Sequence, residues 1–243
     1  KIGRAAKVQE NMAQSIDDFD KISATWKKAI QSLENISQGT TSYDKTSKIL
    51  DLYGQKYKAI DVRKKNEALA NLNLQQAIQE SQIAEKSEQS QQWSLAVSHW
   101  KDALVYLKQI PDNSFQSTKA KSLLIQYNLS LNKAQENFRN ANRLQLIKNN
   151  LAKVCSQENK ACNYSIDKNM IKVKLTSSYL QQIWDLSIQA KLNANIKEQA
   201  KILNHLARLE QSFQMISNQA KIPLAVYNFK GNLMTTYRPI SEN

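Results

Sequence analysis

The amino-acid sequence predicts a mainly α protein built of long antiparallel helical hairpins, closed by a small C-terminal α+β unit. Three observations lead there. The 243 residues hold only 4 Gly and 3 Pro, too few breakers for many connections. Apolar residues recur at three and four along most of the chain, the spacing of one helix face. Only towards the end does the spacing change to two, in the run Ile171–Leu175 and on either side of Gly231.

In chain order, residues 1–36 read as one helix with Val8, Met12, Ile16, Phe19, Ile22, Trp26, Ile30, Leu33 and Ile36 along one side. The run Gln38–Ser42 is the break, since Gly ends a helix and Ser or Thr caps the next. A second helix of about 40 residues runs from about Tyr43 to Ile83, with Gly54 as a weak point but not a stop. A helix this long must pack against two partners or project free. The polar stretch from Glu85 to Gln92 marks the next boundary.

From Trp93 to Ile110 the apolar stripe is Trp93, Ala96, Val97, Trp100, Ala103, Leu104, Leu107 and Ile110. Pro111 cannot continue a helix, and Asp112, Asn113 and Ser114 form turns. The following helix presents Ala120, Leu123, Leu124, Tyr127, Leu131 and Ala134, and continues through Phe138, Leu144, Ile147 and Leu151. A short connection makes these two helices antiparallel neighbours. Beyond them, Asn163–Ile166 and Met170–Leu175 read as strands, with Ile171, Val173 and Leu175 alternating against Lys172 and Lys174. One helix spans about Ser178 to Ala220, and its more polar run KLNANIKEQA is where a kink could fall. A hairpin, Leu224–Asn228 and Asn232–Tyr237, turns at Gly231. The strands are expected to form one small antiparallel sheet. The expected division is 1–153 for the hairpins and 154–243 for the α+β domain.

The hairpin occurs twice. At an offset of 74 residues, Trp100 falls on Trp26, Trp93 on Phe19, Ala103 on Ala29, Leu107 on Leu33, Leu124 on Leu50 and Tyr127 on Tyr53. The register holds through two helices and their loop, from about 19–60 and from 93–134, with a long helix joining the copies. The pattern W-x2-A-V-x2-W followed by Pro resembles a tetratricopeptide unit. This hairpin is longer than that unit, and Val97 stands where Gly is usual, so the resemblance is to the wider tetratricopeptide-like class. The form W-x2-A-L-x2-L-x2-I-P, then an aromatic, then L-L-x2-Y, is similar to helical repeats of uncharacterised, often membrane-tethered cyanobacterial proteins. The class implies a protein-binding scaffold. It makes Phe19, Trp26, Tyr43, Tyr53, Trp93, Trp100 and Tyr127 core or groove residues.

Net charge is +13. Between Lys119 and Lys174, eleven Lys or Arg stand against three acids. Nine of them, Lys119, Lys121, Lys133, Arg139, Arg143, Lys148, Lys153, Lys172 and Lys174, make up the expected basic surface. Such a surface suits an acidic protein partner, anionic lipid or nucleic acid. It also arises as an ordinary solvated helix face. No recognition-helix, zinc-finger or RNP-type pattern accompanies it.

Cys155 and Cys162 are the only cysteines. Their spacing fits no zinc or redox motif. Two readings stay open. A short-loop disulfide would pin a helix end to the next strand and point to an oxidising compartment. Two buried free thiols would suit the cytoplasm. Of the two His residues, His205 lies among apolar neighbours, and His99 has Asp102 at i+3, a surface contact without a third ligand nearby in sequence. No Gly-rich phosphate loop and no catalytic constellation occurs, and no cofactor or metal set is assigned. No apolar run of about 18 residues or more exists to span a membrane. The chain begins at Lys1 rather than Met, which points to a fragment or processed form.

The expected function is a non-enzymatic protein–protein interaction module or scaffold for a peptide, helix or acidic partner. The alternatives are a membrane-tethered extracytoplasmic assembly factor or sensor, and nucleic-acid binding through residues 119–174. Location in a periplasm or lumen is favoured over the cytoplasm.

Overall fold

A computed structural model describes residues 1–36 and 43–240; the side chains of Tyr43 and of residues 157–159 are not among what it describes. Among the described residues there are seven helices and four strands. The protein is mainly α with a C-terminal α+β unit, as the spacing of apolar residues predicts. Contacts divide it into Lys1–Phe138 and Arg139–Asn243. The division falls inside a helix rather than after residue 153, because Ile147, Leu151 and Cys155 belong to the C-terminal core. No described helix is long and apolar enough to cross a membrane.

The N-terminal unit holds α1 (Ile2–Met12), α2 (Ile16–Glu34), α3 (Tyr43–Gln89), α4 (Trp93–Lys108) and the first part of α5 (Ser117–Lys160). The single helix expected over 1–36 is two. Ser15 caps α2 in extended conformation, and the Asp18 carboxylate accepts from the N–H groups of Gln14 and Ser15 at 3.1 and 3.0 Å and from the Ser15 hydroxyl at 2.8 Å. This is a capping box with Asp in the Glu position, a signal the apolar stripe masks. The break expected at Gln38–Ser42 lies outside the described residues.

α3 runs 47 residues without interruption at Gly54, and it packs on α2 with its first half and on α4 with its second. The close approach of α3 and α4 has a simple cause. Ala70, Ala77 and Ala84 recur every seventh residue on α3, Ala96 and Ala103 do so on α4, and all five are fully buried. Small side chains at heptad spacing let two backbones come together along a seam. α5 closes that core with Ala120, Tyr127 and Ala134, again seven apart.

The 74-residue repeat is visible in ring geometry. Trp26 meets Tyr53 with centroids 5.0 Å apart at 61°, and Trp100 meets Tyr127 at 5.1 Å and 55°. Such edge contacts contribute about 1 kcal/mol beyond area burial. The repeat also reaches further back than the hairpin. Gly3 on α1 corresponds to Ala77 on α3, and both are buried. Each copy is therefore three helices, α1–α2–α3 and α3–α4–α5, with α3 shared. The copies differ in polar detail. The Trp100 indole N–H donates to Glu88 at 2.8 Å, whereas the buried Trp26 N–H finds no partner among the described residues.

The loop after α4 is held by a buried carboxylate. Glu67 on α3 is 2% exposed. It accepts from Arg63 Nε at 3.2 Å and from the Phe115 N–H at 2.9 Å. Arg63 also donates to the Asn113 carbonyl at 2.9 Å, and its guanidinium lies over both Phe19 and Phe115, which stack at 5.7 Å.

The C-terminal unit holds the end of α5, β1 (Cys162–Ile166), β2 (Ile171–Leu175), α6 (Ser177–Leu192), α7 (Ile196–Ala220), β3 (Leu224–Tyr227) and β4 (Leu233–Tyr237). The strands lie in the order β1-β2-β3-β4. β2 and β3 run parallel, so the sheet is mixed rather than wholly antiparallel. The α6–α7 pair is the crossover that a parallel neighbour demands. The helix expected over 178–220 breaks in its polar run. Ala194 takes φ +47°, and the Asn195 side chain caps α7 through the Glu198 N–H. Gly231, at φ +89°, turns the final hairpin.

Two outcomes test these junctions. Glu67→Ala strips Arg63 and the Phe115 N–H of their acceptor and should lower the stability of the unit by about 2 kcal/mol in urea titrations; Glu67→Gln, which keeps an acceptor, should lose less. The hydrogen bond from the Gln14 N–H, then that from the Ser15 hydroxyl, holds Asp18 below the ordinary value of 3.8. A depressed carboxyl stabilises the fold above its unfolded pKa and ceases to as pH falls through the folded one. Amide exchange at Gln14 and Ser15 should therefore accelerate as pH drops below about 3.8 relative to the rest of α2, and Asp18→Asn should abolish that dependence.

Candidate functional site

The nine basic residues of the expected surface are all exposed. Lys119, Lys121 and Lys133 belong to the N-terminal unit, where Lys121 pairs with Asp112 at 2.9 Å. The other six belong to the C-terminal unit, which carries fifteen Lys and Arg against six acids, +9 of the total +13.

Within that unit the sheet sorts its residues by alternation. One face, with Ile171, Val173, Leu175, Leu224 and Val226, packs on Leu151, Cys155, Tyr179, Phe213 and Ile216. The other carries Asn163 and Ser165 from β1, Lys172 and Lys174 from β2, and Tyr227 from β3. The register places Asn163 beside Lys174, Ser165 beside Lys172, and Lys174 beside Tyr227. These residues and Gly231 line a shallow depression of ≈ 420 Å³. Lys172 is bonded to Asp167 at 3.0 Å, a hydrogen bond that raises its pKa and keeps it charged. Lys174 makes no ion pair with the described residues. The strand alternation was legible in sequence. The place of Tyr227 beside Lys174 was not, because β3 arrives by a crossover of about fifty residues.

Cys155 and Cys162 are bonded, with Cα atoms 4.5 Å apart. The bond joins the last turns of α5 to β1 across a chain reversal in which Lys160 takes φ +62°. The thiol alternative left open by the sequence is thereby excluded in this structure.

Of the aromatic set, Phe19, Trp26, Trp100 and Tyr127 are buried, and Tyr53 is half-buried against Trp26. Trp93 is different. It opens α4, half-buried, beside a surface depression that it lines with Leu95 and Ser98. The side chain of Tyr43 lies outside the description.

The two His residues are both partnered. His205 Nε2 lies 2.9 Å from the Tyr179 hydroxyl. His99 Nδ1 lies 2.5 Å from Glu80 Oε2, across the α3–α4 seam. Asp102, one turn along α4, completes a group whose ligand atoms all lie within 4.8 Å of one another. The sequence shows no third such group near His99 and Asp102 along the chain, and the structure brings one from another helix. Glu80 is nineteen residues upstream of His99, and only the fold of α4 back onto α3 brings it there.

The structure thus defines a helical-repeat protein with a basic α+β unit. Compared with known proteins, the chain matches no family model, no curated protein and no solved structure.

Reducing the Cys155–Cys162 bond should lower the stability of the C-terminal unit by about 2.5 kcal/mol, the loop-closure value for so short a ring. Paired urea titrations with and without reductant measure it, and a Cys155→Ala/Cys162→Ala variant should show no effect of reductant.

Proposed function

We propose that this chain is a non-enzymatic interaction protein. Its tetratricopeptide-like hairpins act as a scaffold, and the outer face of its C-terminal sheet takes an acidic segment of a protein partner. The observation that carries the reading is the pair Lys172 and Lys174, side by side on an exposed sheet face beside Tyr227. Side chains two apart on a strand stand roughly 7 Å from each other. That spacing suits alternate acidic residues of an extended peptide. The surrounding charge of the unit steers such a partner and raises its association rate. Tyr227 supplies an aromatic surface, a residue type enriched in protein-binding patches, and Asn163 and Ser165 add hydrogen-bonding groups.

A second reading places the protein at a membrane surface outside the cytoplasm. The disulfide supports it, since such bonds persist in oxidising compartments. So does an exposed apolar stripe on α6, Trp184, Ile188 and Leu192, with Ile196 just beyond; Leu192 and Ile196 are each 79% exposed. Apolar side chains among lysines suit the boundary of an anionic bilayer.

The two readings use different surfaces, and one experiment separates them. Lys172→Glu/Lys174→Glu should weaken binding of a fluorescent oligo-glutamate peptide by roughly tenfold, with two exposed charge pairs reversed. Helix content should stay unchanged, because both side chains are exposed. Leu192→Ser/Ile196→Ser should leave that peptide alone and reduce sedimentation with phosphatidylserine vesicles. Equal peptide binding by the lysine variant would sink the first reading. A steep salt slope with duplex DNA in place of the peptide would point to nucleic acid instead.

A further inference from the structure

We infer that Glu80, His99 and Asp102 form a binding site for a divalent transition-metal ion of the zinc class. Three features converge. The first is donor chemistry. One imidazole and two carboxylates are ligands that zinc and its neighbours accept, and a three-ligand set leaves a position for water or a further donor. The second is geometry. His99 and Asp102 stand at i and i+3, so α4 presents both on one face, and Glu80 meets them from α3. The ligand atoms lie within 4.8 Å of one another. Ligands held about 2.1 Å from a tetrahedral ion lie roughly 3.4 Å apart. Glu80 and His99, now 2.5 Å apart, would open slightly, and the exposed Asp102 side chain would close. The helices that carry them are held by the alanine seam and need not move.

The third feature comes from the repeat. At the 74-residue offset, the first copy has Ala6, Thr25 and Lys28 where the second has Glu80, His99 and Asp102. Ala6 is fully buried, and the first copy packs its helices and its Trp–Tyr pair without any of the three ligands. The fold therefore does not require this polar group. Placing two carboxylates against one imidazole adds like-charge repulsion that an ion of charge +2 would relieve. A His–Glu ion pair alone would give Asp102 no part.

The test is titration of the full chain with Zn²⁺ by calorimetry in a non-chelating buffer, and with Co²⁺ followed by its visible absorption. The expected result is one saturable site per chain, with His99→Ala and Asp102→Asn each weakening binding at least tenfold. His205→Ala should change nothing. Asp102 is exposed, so its variant folds, and circular dichroism checks the same for His99→Ala. Absence of a one-to-one site would overturn the proposal, as would Zn²⁺ binding that survives His99→Ala. Binding lost in His99→Ala but unchanged in Asp102→Asn would overturn the three-ligand site.

Discussion

The buried carboxylate of Glu67 is the constraint on which the arrangement of the hairpin unit depends. A charge at 2% exposure is costly unless every oxygen is answered, and Glu67 is answered by Arg63 from its own helix and by the Phe115 N–H from the loop after α4. That loop cannot settle elsewhere without stranding the carboxylate. Phe115 is thereby delivered onto Phe19 of α2, and Arg63 covers both rings. One polar anchor thus joins the apolar core of the first copy to the connection of the second. The specificity lies in the polar group, while the energy of the contact is largely burial and stacking.

Around that anchor the two copies have diverged in an instructive way. Both keep a Trp–Tyr edge contact and small residues at the helix seam. The first leaves its Trp26 N–H without a partner among the described residues and fills the seam with Ala6. The second satisfies Trp100 through Glu88 and bridges the seam with Glu80 and His99. The two indoles thus differ in how their N–H groups are placed, although both rings keep the same Tyr contact. The second copy carries the polar chemistry. The C-terminal unit solves a different problem, a small core that gains from covalent closure. Its disulfide holds the end of α5 against β1, and the β2–β3 parallel pairing is made possible by the α6–α7 crossover.

The sequence by itself determined the mainly α class, the shared register of the two hairpins, the uninterrupted course of α3 through Gly54, and the strands flanking Asp167 and Gly231. Each of these rests on periodicity or on a local breaker, which are properties of neighbouring residues. It also showed that Lys172 and Lys174 share one face of β2. Local signals were misread where a long apolar stripe outweighed a short polar motif. Ser15 with Asp18 splits the first helix, and Asn195 splits the helix of 178–220, because a cap satisfies free backbone N–H groups that a stripe does not count.

Only the tertiary structure decided the rest. The parallel pairing of β2 with β3, the place of Glu67 under Phe115 and the meeting of Glu80 with His99 all join residues whose partners no local spacing specifies, and the structure also decides that Cys155 and Cys162, the one pairing the sequence offers, are bonded. Their common reason is physical. A hydrogen bond, a disulfide or a metal ligand acts over about 2–3 Å, whereas periodicity reports only which way a side chain points from its own element. Which element it then meets depends on how the alanine seams and the crossover fold the chain back on itself.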